Sequence, residues 1–386
     1  MTAAIHLLVG TTKGAFVVDG DAERDRWTVR GPYCDGWPIN HVVGDPLTGT
    51  MWAGGGGDWS GAGVWRSTDG GHTWSLTKLT TGEMDTWAAN DPGFAEMIGW
   101  TEEPAPFGDR FTQVWSLGRA GDRLYAGTKP AVLLASDDGG ETWEEVKGLS
   151  DHPSRGEWVP GGAGLVLHTI TADPEDPDRV WIGISTAGVF VTTDGGETWE
   201  RRNDLADPSL GEKPGHPAGP TDGHVGFCVH HLEHAGGDVL YQQNHAGVWR
   251  SEDGGQTWHD VTEGLPSSFG FPIWVSPHDD RSIWTLPLNG DMAGRFPPDA
   301  AAAVWHSRDG GDTWEAQRSG LPQESCFFTV LRQAMSGDRQ EPAGVYFGTN
   351  SGSVFATRDE GATWSEVARH LPTVLSVDVL EAEQVG

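Results

Sequence analysis

His41, His168, His230 and His245, with Arg332 far downstream, are the residues of this chain with the widest chemical reach. Neutral imidazoles brought together from distant segments can hold a transition-metal cofactor, copper, zinc, iron or manganese. An imidazole beside Arg332, Arg155 or Lys129 can instead act as acid or base on a bound anion. A third reading leaves the histidines satisfied by backbone carbonyls in a polar channel. No H-x-H pair favours the metal, and the neighbours His230 and His231 point to opposite faces of a strand. All three readings stay open. The candidates are His41, His168, His230 and His245 as metal ligands, His168, His230, His245 and Arg332 as catalytic groups, and Trp158, Gln243, Asn244 and Arg155 as ligand-binding groups.

A second chemistry needs two carboxylates, one to protonate a leaving sugar oxygen and one to attack or to activate water. Asp58, Asp85, Asp91, Glu96, Glu102, Glu103, Asp151, Glu157, Asp222 and Asp291 all fall between strand-like segments, and no pair stands out among them. Trp37, Trp59, Trp87, Trp100 and Trp158 lie outside the repeated positions, where an indole can stack on a sugar or pack the loops together. The chain as a whole is acidic, with 56 Asp and Glu against 25 Lys and Arg and a formal charge of −31. Such a surface repels phosphate backbones and anionic lipids, which argues against nucleic-acid and membrane partners. Solubility is its simplest use.

A repeat positions these residues. It stands at Ser67–Trp74 (STDGGHTW), Ser136–Trp143 (SDDGGETW), Thr192–Trp199 (TTDGGETW), Ser251–Trp258 (SEDGGQTW), Ser307–Trp314 (SRDGGDTW) and Thr357–Trp364 (TRDEGATW), with central aspartates 50 to 69 residues apart. That spacing is one propeller blade. Before each copy runs a pair of strand-like segments joined by a glycine-rich turn, as in VWIGISTAGVFVTTDGG from Val180 to Gly196. Within the motif, hydroxyl and carboxylate can bond the turn's own backbone, so the six aspartates read as structural.

A further apolar segment precedes each hairpin and is expected to form the inner strand of a blade. These segments are Ile39 to Gly44, Phe111 to Leu117, Leu165 to Thr171, His224 to His231, Phe271 to Ser276, Cys326 to Leu331 and Thr373 to Val379. The expected fold is all-β, a single domain over 1–386: a seven-bladed β-propeller of four-stranded antiparallel blades. N-terminal strands pairing with a C-terminal strand close it, so that no sheet edge is left open. Loops that break the repeat gather on the face opposite the motifs, chiefly 31–38, 79–110, 148–164, 203–223 and 287–303. Long loops in a compact domain commonly carry function.

At the motif the chain resembles the Asp-box, or bacterial neuraminidase repeat, propellers: sialidases, sortilin-type receptors and photosystem II assembly factors. As a whole it looks closest to bacterial repeat proteins labelled sialidase-like or glycosyl hydrolase. Sialidases of that family use an arginine triad, a Tyr nucleophile paired with Glu, an Asp acid-base and an early Arg-Ile-Pro motif. Here the near match Arg295-Phe296-Pro297 follows four boxes, and Tyr125, Tyr241 and Tyr346 occupy equivalent repeat positions, leaving only Tyr33 in a loop. Sialidase activity is not expected.

The leading expectation is a propeller that binds, and as an enzyme transforms, a small polar molecule or sugar at the mouth of its channel. The alternatives are a non-catalytic scaffold for protein partners and a non-sialidase glycoside hydrolase. The opening MTAAIHLLVG has no basic segment and too short an apolar run for an export signal or membrane span. Cys34, Cys228 and Cys326 form no C-x-x-C pair. A cytoplasmic setting is expected.

Overall fold

The computed structural model describes residues 4–102, 104–207 and 223–382. Short runs of Val, Ile, Trp, Tyr and Phe broken by glycine turns cannot bury their apolar faces alone, so each pairs with its sequence neighbour and stacks on the next unit. Seven antiparallel sheets result, arranged in a ring around their innermost strands. Blade 1 holds residues 4–33 and 374–382, blade 2 39–78, blade 3 113–145, blade 4 166–201, blade 5 229–260, blade 6 270–317 and blade 7 335–368. Blade 5 gains a fifth strand, Asp204–Leu205, parallel to its outer strand Thr257–Asp260.

The ring closes as the sequence predicts. Val374–Ala382 runs antiparallel to Ala4–Thr11, with Ala4 opposite Ala382 and Gly10 opposite Ser376. The innermost strands of blades 2 to 6 are Ile39–Gly44, Gln113–Ala120, Val166–Ala172, Val229–Gly236 and Gly270–Val275. They overlap the expected segments, although His224 lies ahead of its strand and pairs with Asp204 at 2.8 Å instead. Blade 7 corrects the expectation. Its innermost strand is Met335–Gly337, and Cys326 to Leu331 is no strand. Cys326, Phe328 and Val330 are buried between blades 6 and 7, but the Cys326 N–H donates to the Ala300 carbonyl and the Thr329 N–H to the Asn350 side chain. An apolar run reads as a strand whether a sheet or a loop satisfies its backbone.

Each box is a closed hydrogen-bond unit. In blade 5 Asp253 Oδ1 accepts from the Ser251 hydroxyl at 2.8 Å and the Thr257 N–H at 2.9 Å, and Oδ2 from the Thr257 hydroxyl at 2.6 Å. The Thr142 hydroxyl and N–H hold the Asp138 carboxyl down at about 2, and the Thr192 and Thr198 hydroxyls do the same for Asp194. These aspartates are ionised acceptors for a turn.

The boxes also receive the neighbouring blade. At one position of the second strand, blades 2 to 7 carry Trp52, Tyr125, Trp181, Tyr241, Trp284 and Tyr346 in turn. The indole N–H groups of Trp52, Trp181 and Trp284 donate to Gly139, Gly254 and Glu360, each in the next blade's box, at 2.8, 3.0 and 3.3 Å. The Tyr125 hydroxyl donates to Gly195 in the next box at 3.2 Å, and that of Tyr241 to Asp280 of the next blade at 2.9 Å. Blade 1 has no box, and Tyr346 donates to Asp338 at 2.6 Å. Asp338 in turn takes Arg24, from the turn where blade 1 would carry its box.

Candidate functional site

Innermost strands start at the upper face, and the boxes lie at the lower one. The irregular upper connections build two sites, and the channel beneath them a third.

The first site is the channel mouth between blades 5 and 6. Cys228 and His230 lead into the innermost strand Val229–Gly236, His245 sits in the turn after Val239–Asn244, and Asp291 and Arg295 come from the extended hairpin loop of blade 6. His230 Nδ1 lies 2.6 Å from the Gly270 carbonyl, so Nε2 carries the lone pair and faces the Cys228 sulfur at 3.7 Å. The Ser185 hydroxyl is 3.2 Å from that sulfur. His245 Nε2 meets Asp291 at 3.3 Å, and Arg295 pairs with the other oxygen of Asp291 at 2.6 Å. Burial, then the charge of Arg332, holds the His230 imidazole well below its usual range, and burial raises the Cys228 thiol. Burial lowers Arg332 to about 10, which leaves it cationic at neutral pH. Its guanidinium lies over Phe271 at 4.5 Å, and its buried Nε has no hydrogen-bond partner among the described residues.

Only some of the expected residues meet here. His230 and His245 do, with ring centroids 5.3 Å apart. His168 lies deeper, edge-on to Trp115 at 5.8 Å, with both ring nitrogens buried and unpartnered. Its carbonyl accepts from Gln333, which with Asn40, Trp115, Leu331, Arg332 and Leu375 lines a void of about 130 Å³. His41 accepts the Leu117 N–H at 3.0 Å, and burial lowers it to about 3. Among the described residues His41 and His168 do not join His230 and His245, and Cys228 does. In the sequence Cys228 stands two residues before His230, as C-x-H.

The expected ligand-binding groups are committed elsewhere. Gln243 donates to the carbonyls of Asn244, Gly247 and Ser268, and Asn244 is bonded to Gly226 and Ala246. Trp158 is buried against Phe190, with Arg155 stacked over it at 4.6 Å.

The second site is an open cleft of about 580 Å³ where blades 2 and 3 meet at the upper face. The 79–110 segment builds it with two short helices, Glu83–Asn90 and Pro92–Ile98, the second capped by the Asp91 carboxylate. Asp58, Glu83, Asp109 and Trp87 line the cleft. Trp87 stacks on Phe94 at 4.2 Å, Trp59 meets both edge-on, and the two indoles stay 51% and 48% exposed. Asp58, Trp59 and Trp87 are expected candidates, whereas Glu83 and Asp109 are new ones from the same irregular segment. Asp85 is taken by Lys78 and Trp100, Glu157 by Arg201 and Asp291 by Arg295, while Trp37 packs on Trp65. Glu96, Glu102 and Asp151 are exposed outside the cleft lining. Glu103, Asp222 and most of the 203–223 loop lie outside the described residues.

The third site, a lower channel cavity of about 260 Å³, holds Asp378, Glu233, His231, His41 and Arg119. Burial raises the Asp378 carboxyl to about 6, and the neighbouring Glu233, itself 2.9 Å from His231, adds to the shift. An unfolded aspartate titrates near 3.8, so between about pH 4 and pH 6 the folded chain holds the extra proton and stability falls as pH rises. Asp378→Asn keeps the acceptor for the Val379 N–H. Chemical denaturation should find it more stable than the parent at about pH 8, by about 1–3 kcal/mol, and equal near pH 3. A difference independent of pH would sink this assignment.

A family model described as BNR/Asp-box repeat matches residues 190–201. An oligoxyloglucan-reducing end-specific xyloglucanase of Emericella nidulans is 23% identical over 218 residues, covering 50% of this chain and 25% of that protein. A xyloglucanase of a Paenibacillus species is 25% identical over 283 residues, 64% of this chain and 25% of its own length. The chain thus spans about a quarter of these curated relatives. Among solved structures, the GH74 xyloglucanase of Xanthomonas campestris superposes with a TM-score of 0.59 at 17% identity, over 95% of this chain and 53% of that one. YCF48 of Cyanidioschyzon merolae gives 0.51 at 14% identity over 85% of both. The family model matches the box at one copy and the sequence repeats it at six, so this chain is a seven-bladed β-propeller that carries the Asp-box repeat and is closed by its two ends.

Proposed function

We propose that this propeller is a glycoside hydrolase of non-sialidase type, with an oligosaccharide as its substrate and the upper cleft of blades 2 and 3 as its binding site. The observation that carries the reading is the half-exposed Trp59–Trp87–Phe94 cluster set beside three exposed carboxylates, Asp58, Glu83 and Asp109, in one open cleft. A flat indole offers a sugar ring an apolar face, and carboxylates supply the acid and the nucleophile or base that glycosidic cleavage needs. The sequence similarity to xyloglucanases supports a β-glucan-type substrate. Three buried, unpaired cysteines support the cytoplasm as its setting.

The test is a panel of xyloglucan and plain β-glucan oligosaccharides, with binding read by calorimetry and products by mass spectrometry. Trp87→Ala should weaken binding about tenfold. At least one of Asp58→Asn, Glu83→Gln and Asp109→Asn should cut turnover about a hundredfold or more while binding persists. Parent-like behaviour in all four variants would remove the cleft from the mechanism, and failure of the whole panel would remove the activity.

A further inference from the structure

Cys228, His230 and His245 lie outside the cleft of blades 2 and 3, at the channel mouth of blades 5 and 6, and stand independently of the glycosidase reading. His230 is the residue skipped by the ladder between Val229 and His231, its ring meets the Cys228 sulfur, and the hairpin turn between Val239–Asn244 and Gly247–Ser251 carries His245 to the same place. The Cys228 sulfur and one ring nitrogen of each histidine all fall within 4.8 Å of one another. A tetrahedral zinc ion, with Zn–S about 2.3 Å and Zn–N about 2.0 Å, sets neighbouring sulfur and nitrogen ligands about 3.6 Å apart. The observed separation of Cys228 Sγ and His230 Nε2 is 3.7 Å.

The His230 imidazole is held as metal-bound imidazoles are held, with the nitrogen away from the sulfur engaged by an oxygen. His230 Nδ1 is engaged by the Gly270 carbonyl, which directs Nε2 toward the sulfur, and His245 Nε2 is engaged by Asp291. A thiolate with two imidazoles is a donor set for a borderline-soft ion rather than for magnesium or calcium. Arg332 adds a second, independent observation. Its charge bears on both Cys228 and His230, yet it has no ion pair among the described residues, and its Nε is buried without a partner.

The geometry points to a transition-ion site, zinc(II) first, held by Cys228, His230 and His245, with one open coordination position beside Arg332 that takes a small anion such as a carboxylate or phosphate. Three protein ligands and one open position are the pattern of a reactive ion rather than a structural one. On binding, the Cys228 thiol releases its proton to solvent and the thiolate ligates.

Full-length protein stripped with a chelator is titrated with Co²⁺, a visible stand-in for zinc. One equivalent should give thiolate-to-cobalt charge-transfer absorption, which Cys228→Ser should lack and added Zn²⁺ should erase. In the unaltered chain, one equivalent of Zn²⁺ should slow alkylation of Cys228, mapped by peptide mass, by about tenfold or more. That measurement stands even if Cys228→Ser does not fold. Inorganic phosphate should shift the cobalt spectrum of the parent and leave that of Arg332→Met unmoved. A silent cobalt titration, or alkylation indifferent to zinc, would mean that the sulfur and imidazole share only a hydrogen bond and would overturn the site. A cobalt spectrum that phosphate does not move in the parent would overturn the anion position.

Discussion

Truncation of the chain before Val374 should abolish cooperative folding. The lost segment is the innermost strand of blade 1, paired along its length with Ala4–Thr11. Its Val374, Val377 and Leu380 are buried in the clusters that join blade 1 to blades 7 and 2. Exposing three such side chains costs about 1.5–3 kcal/mol each. The truncation also strips the inner ladder from Ala4–Thr11 and leaves that strand as an unpaired edge. Together these losses rival the whole stability of a typical domain, about 5–15 kcal/mol. Circular dichroism of the truncated protein should show no sharp thermal transition, and a synthetic peptide covering 372–386 should restore one. A truncated chain that melts like the parent would mean that the ring does not depend on its closing strand.

The seam between blades 7 and 1 carries the second large effect. The side chains of Arg24 and Asp338 are 8% and 0% exposed. Asp338 accepts from Arg24 at 2.9 and 3.2 Å, from the Tyr346 hydroxyl at 2.6 Å and from the Gly344 N–H at 2.8 Å. Asp338→Ala leaves the Tyr346 phenol without its acceptor and the Arg24 guanidinium without a counter-charge, bonded only to the Pro342 and Arg358 carbonyls. Breaking one side of such a pair costs about 3–5 kcal/mol, because the partner's charge stays behind without water. Urea unfolding should show a loss of that size. Arg24→Met combined with Asp338→Ala should cost clearly less than the sum of the two single changes. A single-variant loss below about 1 kcal/mol would mean that solvent reaches the pair and screens it.

What the sequence revealed followed the range of each interaction. The boxes were legible because their bonds are local: Asp253 reaches Ser251 two residues back and Thr257 four ahead. The closing strand was legible because blade 1 had three strands and the chain's last apolar segment had no hairpin. Blade 7 was misread because Ala300 and Asn350, distant in sequence, decide the state of the Cys326–Leu331 backbone. The channel was hardest to read. Near the upper end of the innermost strands the register slips, at Ile39/His41, Val114/Ser116, Leu167/Thr169, Val229/His231 and Gly270/Ile273. Each slip re-aims the following side chains, and simple alternation does not foresee it. His41 comes just after the slip of its strand, as His231 does, and so parts from His168 and His230, which are the residues skipped in theirs. Glu83 and Asp109 were hidden differently, since helix packing in the 79–110 segment brings them to Trp87.

The Trp and Tyr donors that tie each blade to its successor alternate strictly from Trp52 to Tyr346. A pattern with a period of two cannot run round an odd-numbered circle without a fault, and here the fault falls on blade 1, where Leu8 holds the position. The joints between blades thus repeat every two blades, three times over blades 2 to 7. The unpaired blade is the one without a box, whose innermost strand comes from the far terminus and whose Arg24 makes the joint with Asp338.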